Sequence, residues 1–162
     1  MRQTDSINAR AYEASARKML ALLLHHSACR ADLRVKDKRG VRLHVRRQQQ
    51  DAGFFVGDLN FANDLSQEEA ATYEVNAAEK LERLVAHPEH WSSSESGGRG
   101  AIGTANSEFI SVDGLSEDHD EALALLIAVD MGLMTPARAD WIATQRSNNP
   151  HASTVHDILR TS

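Results

Sequence analysis

"LRVKDKRGVRLHV" (residues 33–45) alternates apolar and polar residues on both sides of a four-residue break. Leu33 and Val35 interleave with Arg34 and Lys36; Val41, Leu43 and Val45 interleave with Arg42, His44 and Arg46. A side-chain period of two belongs to a half-buried strand. With residues 37–40 (DKRG) between the runs, the stretch predicts a β-hairpin, apolar on one face and basic on the other. Arg34, Lys36, Arg42, His44 and Arg46 would line the basic face, with Lys38 and Arg39 at its tip.

Outward from this hairpin the pattern becomes helical. Tyr12, Ala16, Met19, Leu20 and Leu23 follow a period of 3.6 and predict a first helix over 6–28. "GFFVG" (53–57) predicts a third strand bounded by glycines. Ser66 with Glu69 three residues on is a capping box, opening a second long helix that Pro88 closes. Its inner face is expected to hold Ala70, Tyr73, Ala77, Leu81, Leu84 and Val85. "EFISV" (108–112) reads as a fourth strand. From Ser116 an apolar helix leads to Gly132, and Thr135 with Pro136 starts another, predicting a helical hairpin over 116–132 and 136–146. Trp141 and Ile142 should face inward there. A short last helix carries Val155, Ile158 and Leu159. The fold class is therefore α+β: a small, mainly antiparallel sheet of about four strands packed by helices, with a C-terminal helical hairpin. Residues 1–162 read as a single domain. Within it, 1–90 form a helix, a three-strand meander and a helix; 91–106 form a flexible Gly/Ser loop; 107–162 form a strand, the hairpin and the last helix.

Charge is segregated along the chain. Residues 1–47 hold twelve Lys and Arg against four acids, and residues 48–162 hold six against nineteen. Such polarity argues about partners and not about fold. Either the halves neutralise each other, or the basic hairpin meets another molecule. One cysteine, Cys29, excludes an intramolecular disulfide. The early run "MLALLL" (19–24) is too short for a signal-peptide core, and no stretch has the length of a membrane span. A cytoplasmic protein with no membrane partner is expected.

The chemical motifs fail in context. In "GGRGAIGT" (97–104), Gly98, Gly100 and Gly103 have the spacing of a dinucleotide loop, yet "SSSES" precedes them and a strand follows. A phosphate cradle needs a strand before and a helix after. The P-loop alternative lacks its lysine. His25, His26 and Cys29 share a helical turn, and His87 and His90 lie three apart, but neither set reaches four ligands. The run Glu117, Asp118, Asp120 and Glu121 suits the first turn of a helix, where negative charge is stabilised. The second arm of the helical hairpin is too poor in cations to read DNA. The order helix, three strands, helix matches double-stranded-RNA-binding topology, but "SQEEAA" stands where such domains carry lysines. No catalytic residue, cofactor or metal ligand is assigned.

The reading that remains is a non-enzymatic macromolecule-binding protein of adaptor, regulator or inhibitor type. It would act through protein–protein contacts with the basic hairpin: Arg34, Lys36, Lys38, Arg39, Arg42, His44 and Arg46. An acidic protein partner is expected, with a homodimer as an option. Nucleic-acid binding by the same hairpin is the alternative, and an enzyme with an unrecognised site is the third reading.

Overall fold

The computed structural model describes residues 7–35, 37–58 and 60–161. Among these, seven α-helices surround a four-stranded antiparallel sheet, an α+β fold. The order is α1 (Ala9–His25), α2 (Ser27–Arg30), β1 (Gly40–Arg47), β2 (Gln50–Gly57), α3 (Phe61–Asp64), α4 (Gln67–Val85), β3 (Ala101–Gly103), β4 (Glu108–Asp113), α5 (Glu117–Asp130), α6 (Pro136–Trp141) and α7 (Ala152–Thr161). A 3-10 turn (Ser93–Ser96) precedes β3, and a π-helical turn (Ile142–Arg146) extends α6. No helix among the described residues is long and apolar enough to cross a membrane.

The sheet runs β2-β1-β4-β3. Leu43 pairs with Phe54 on one side and Val112 on the other, and Val45 with Ala52 and Ile110. Because side chains alternate, Val41, Leu43, Val45, Val56, Ile110 and Val112 share one face. That face carries the main core, which α1 and α5 cover with Met19, Leu23, Leu123, Leu126 and Ile127. Full burial of each such side chain stabilises the fold by roughly 1.5–3 kcal/mol. Arg42, His44, Arg46, Ser111 and Asp113 lie on the opposite face. There α4 lies across the sheet, with the Ser111 hydroxyl donating to the Ala77 carbonyl at 2.6 Å.

The hairpin forms, but one strand later than its alternation suggests. Its arms are β1 and β2, joined by Gln48 and Gln49, with Gln48 at φ +56°. "GFFVG" is thus the far end of its second arm. Residues 31–35 make turns instead: the Asp32 carboxylate accepts from the Arg34 amide at 2.9 Å, and Val35 N–H donates to the Asp32 carbonyl at 3.1 Å. An Asp side chain closing a turn on the residue two ahead competes with ladder pairing. Leu33 is consequently 78% exposed and Val35 only 1%, which a shared strand face would not allow.

The glycine-rich stretch is also built into the fold. Ser92 and Ser93 are buried, Ser92 bridges to Ile102, and β3 pairs with β4. Gly100 serves close approach: a Cβ there would lie 2.6 Å from Lys80 Cδ and 2.8 Å from the Val112 carbonyl. The helical signals hold well. Ser66 and Glu69 form the capping box, Thr135 caps α6 ahead of Pro136, and α7 carries buried Val155 and Ile158. Gly132, at φ +75°, ends α5 in a Schellman arrangement, with its own N–H on Val129 and Leu133 N–H on Ala128. Ile142 is buried, while Trp141 is half-buried, edge-on to Trp91 at 5.9 Å and stacked by Arg138.

The two glycines differ in a measurable way. At Gly132 nothing lies within 4 Å of an added Cβ, so Gly132→Ala pays only the left-handed conformation, about 1 kcal/mol. Gly100→Ala combines a positive φ of +139° with the clash, and should cost at least about 2 kcal/mol. Urea unfolding of the two variants checks the order.

Candidate functional site

The basic residues singled out from sequence do not form one free surface. On β1, Arg46 makes a two-pronged pair with Asp51 of β2 (Nε to Oδ1 2.7 Å, Nη2 to Oδ2 2.9 Å) and also pairs with Glu82 of α4. His44 Nε2 lies 3.1 Å from the same Asp51. Arg42 stacks 4.8 Å over Phe55 and is 3.7 Å from Glu74 of α4; burial lowers its pKa. Arg39 binds Asp58 at 2.7 Å and Asp64 at 2.8 Å. Arg34 is held by Asp32 and approaches Asp118. Lys38 is exposed, and Lys36 lies outside the described residues. Charge segregation along the chain thus becomes ion pairing across the fold. Hydrogen bonds from Arg46 above all, with help from His44, hold Asp51 down to a pKa of about 2.

What the hairpin leaves open is an edge. Among the described residues no strand pairs with the outer side of β2. In an antiparallel pair closed by a two-residue loop, the residues next to the loop exchange hydrogen bonds, and the pattern then alternates. From the Arg47–Gln50 pair, this points the N–H groups of Asp51, Gly53 and Phe55 away from β1. At the far end, Arg17 Nη1 donates to the outward Gly57 carbonyl at 2.9 Å. "QDAGFFVG" contains neither Lys nor Pro, the residues with which edge strands usually discourage pairing.

Sequence reasoning missed a second concentration of polar groups, gathered by the first turn of α5. Here Asp120 and Glu121 do more than favour the helix dipole. Lys80, on the buried stripe of α4 between Ala77 and Leu84, donates to Asp120 at 3.1 Å, Asp113 at 2.9 Å and the Val112 carbonyl at 3.0 Å. Burial pushes Asp120 up against the pull of Lys80. Glu121, fully buried, accepts from Ser92, from Ser147 at 2.9 Å and from Asn149 at 2.9 Å. Arg99 ties Asp118 (2.8 Å) to the Ser147 carbonyl (2.7 Å). His119 is buried beside Asp32 and His151, its ring centroid 3.9 Å from that of His151. Burial, and then the neighbouring His151, lower the His119 pKa to about 4. One signal was legible: a lysine at an apolar helix position demands a buried partner. The His119–His151–Asp32 grouping had none, since its members are far apart in sequence.

Breaking the Arg46 cluster should cost stability, contrary to what a purely solvated basic face would show. Arg46→Gln should lower unfolding free energy at pH 7 by about 1 kcal/mol. The Asp51 carboxylate has a folded pKa below its ordinary value, so its stabilisation is present above about pH 4 and is lost as pH falls toward 2. The variant should therefore show a shallower acid loss than wild type, with the two curves converging near pH 2; denaturant titrations across that range check this. No family model, curated protein or solved structure matches this chain.

Proposed function

We propose that the chain is a non-enzymatic protein-binding module, of adaptor, regulator or inhibitor type, whose contact surface is the outer edge of the β1–β2 hairpin. The observation that carries this reading is the side of β2 that no strand among the described residues pairs, on a strand of eight residues with outward N–H groups at Asp51, Gly53 and Phe55. An extended partner segment laid along such an edge gains main-chain hydrogen bonds, and side chains beside the edge select its sequence. The basic row contributes indirectly: Arg42 and Arg46 each touch β2 and α4 and so tie the strand to the helix behind it. Their engagement with Phe55, Glu74, Asp51 and Glu82 favours a protein strand over nucleic-acid phosphates, which need free cations.

Gly53 permits a controlled test. An added Cβ would meet only the guanidinium end of Arg42, at 2.4 Å from Nη2, which must shift to admit it. Gly53→Ala and Gly53→Pro share that cost, but only proline removes the outward N–H. Both variants should fold, by circular dichroism. Proteins retained from host extract by wild type should also be retained by Gly53→Ala and lost, by about tenfold or more, with Gly53→Pro. Sedimentation equilibrium of the purified chains identifies the case in which the partner is a second copy. Equal retention by all three chains, together with equal self-association, would overturn the reading.

A further inference from the structure

We infer that Asp32, His119 and His151 form a binding site for a divalent transition-metal ion of the zinc class. The three residues come from separate segments: the turn after α2, the first turn of α5, and the residue before α7. One donor atom of each lies within 4.8 Å of the other two. Tetrahedral donors at zinc distances are about 3.3 Å apart, so rotamer adjustments of up to about 1.5 Å close the set. Asp32 and His151 are only partly buried and can make them, while His119 is held fixed.

An orphaned atom points to the ion. His119 Nε2 is buried and has no hydrogen-bond partner. Its other nitrogen, Nδ1, sits 2.5 Å from Ser116 Oγ, the helix-cap oxygen that also accepts from the His119 amide. The Ser116 hydroxyl can pair with Nδ1 in either tautomer; in the one a metal ion selects, Nδ1–H donates to that oxygen and the Nε2 lone pair faces the Asp32 carboxylate, whose Oδ2 is 3.7 Å away. Two acceptors directed at one another without a proton between them repel, and a shared cation turns that repulsion into ligation. The surroundings fit: Ser116 would act as the outer partner that fixes the ring, and Asn149 Oδ1 accepts from the His151 amide at 2.8 Å. Two imidazoles and one carboxylate suit zinc and its neighbours, whereas calcium and magnesium take oxygen donors.

Arg34 is the competitor. Its guanidinium donates to both Asp32 oxygens and reaches within 3.5 Å of His151 Nε2, standing where positive charge is wanted. It is also 53% exposed and 3.5 Å from Asp118, so it can leave Asp32 without losing every counter-charge. Asp118 and its partner Arg99 complete the charged groups around the site. Three protein ligands leave a coordination position for water or a partner's side chain.

A second trio nearer the surface, His87, Glu89 and the part-buried His90, would also collect zinc, so the test uses a His87→Gln/His90→Gln background. Zinc is titrated against a chromophoric chelator, with circular dichroism to confirm folding. One equivalent per chain is expected. Asp32→Asn and His151→Gln should each weaken it by about tenfold or more. Arg34→Gln should tighten it, by removing the competing cation. Absence of a bound equivalent in the background chain overturns the site, as does affinity unchanged in Asp32→Asn and His151→Gln. If one of these fails to fold, the other decides. Weaker binding in Arg34→Gln would also count against the assignment.

Discussion

The first turn of α5 is the constraint around which the molecule is arranged. That helix is apolar on nearly every side, so it must be enclosed, yet His119, Asp120 and Glu121 near its start are all buried. A buried ionisable group without partners costs several kcal/mol, so Asp120 and Glu121 are met by chain brought from elsewhere, while His119, its Nε2 unpartnered, has its pKa lowered by burial. Lys80 comes from α4 for Asp120; Ser92, from the segment before β3, and Ser147 and Asn149, from the segment before α7, meet Glu121; that last segment also brings His151, and the turn after α2 brings Asp32, beside His119. One helical turn thereby holds the α4 layer, the segment leading into β3 and the chain around α6 and α7.

This arrangement explains why the sheet is covered on both faces by layers of different character. On the α1 and α5 side the contacts are aliphatic, and burial alone suffices. On the α4 side, Arg42, Ser111, Asp113 and Arg46 are met by Glu74, Ala77, Lys80 and Glu82, while His44 turns to Asp51 of β2. Ion pairs fix register and orientation more than they add stability, since desolvation offsets much of the attraction. The β1–β2 hairpin is therefore set firmly in the sheet, while no strand among the described residues pairs with its outer margin. Rigid placement favours strand addition, because less ordering is lost on binding.

Local signals in the sequence determined the local elements. The capping box at Ser66, the Thr135–Pro136 start and the Gly132 stop act within one helical turn, and they appear where expected. The alternation of Val41, Leu43 and Val45 likewise chose both the strand and its core face. The same alternation at Leu33 and Val35 misled, because the Asp32 side chain supplies a turn that a count of apolar positions does not register. The hairpin loop, Gln48–Gln49, escaped notice because it has neither Asn nor Gly.

Only the tertiary structure decided which charges are free and which polar groups meet. Composition showed a basic segment and an acidic remainder, but distances between Arg46 and Glu82, or Arg39 and Asp64, depend on how α3 and α4 return to the hairpin. The glycines at 98–103 likewise had no meaning until Lys80 of α4 lay against Gly100. Asp32, His119 and His151 are separated by 87 and 32 positions in the chain, spacings that carry no helical or strand period. Periodicity reports neighbours within an element, whereas a site assembled from three loops and helix ends is produced by packing, and packing is not written in any single stretch of residues.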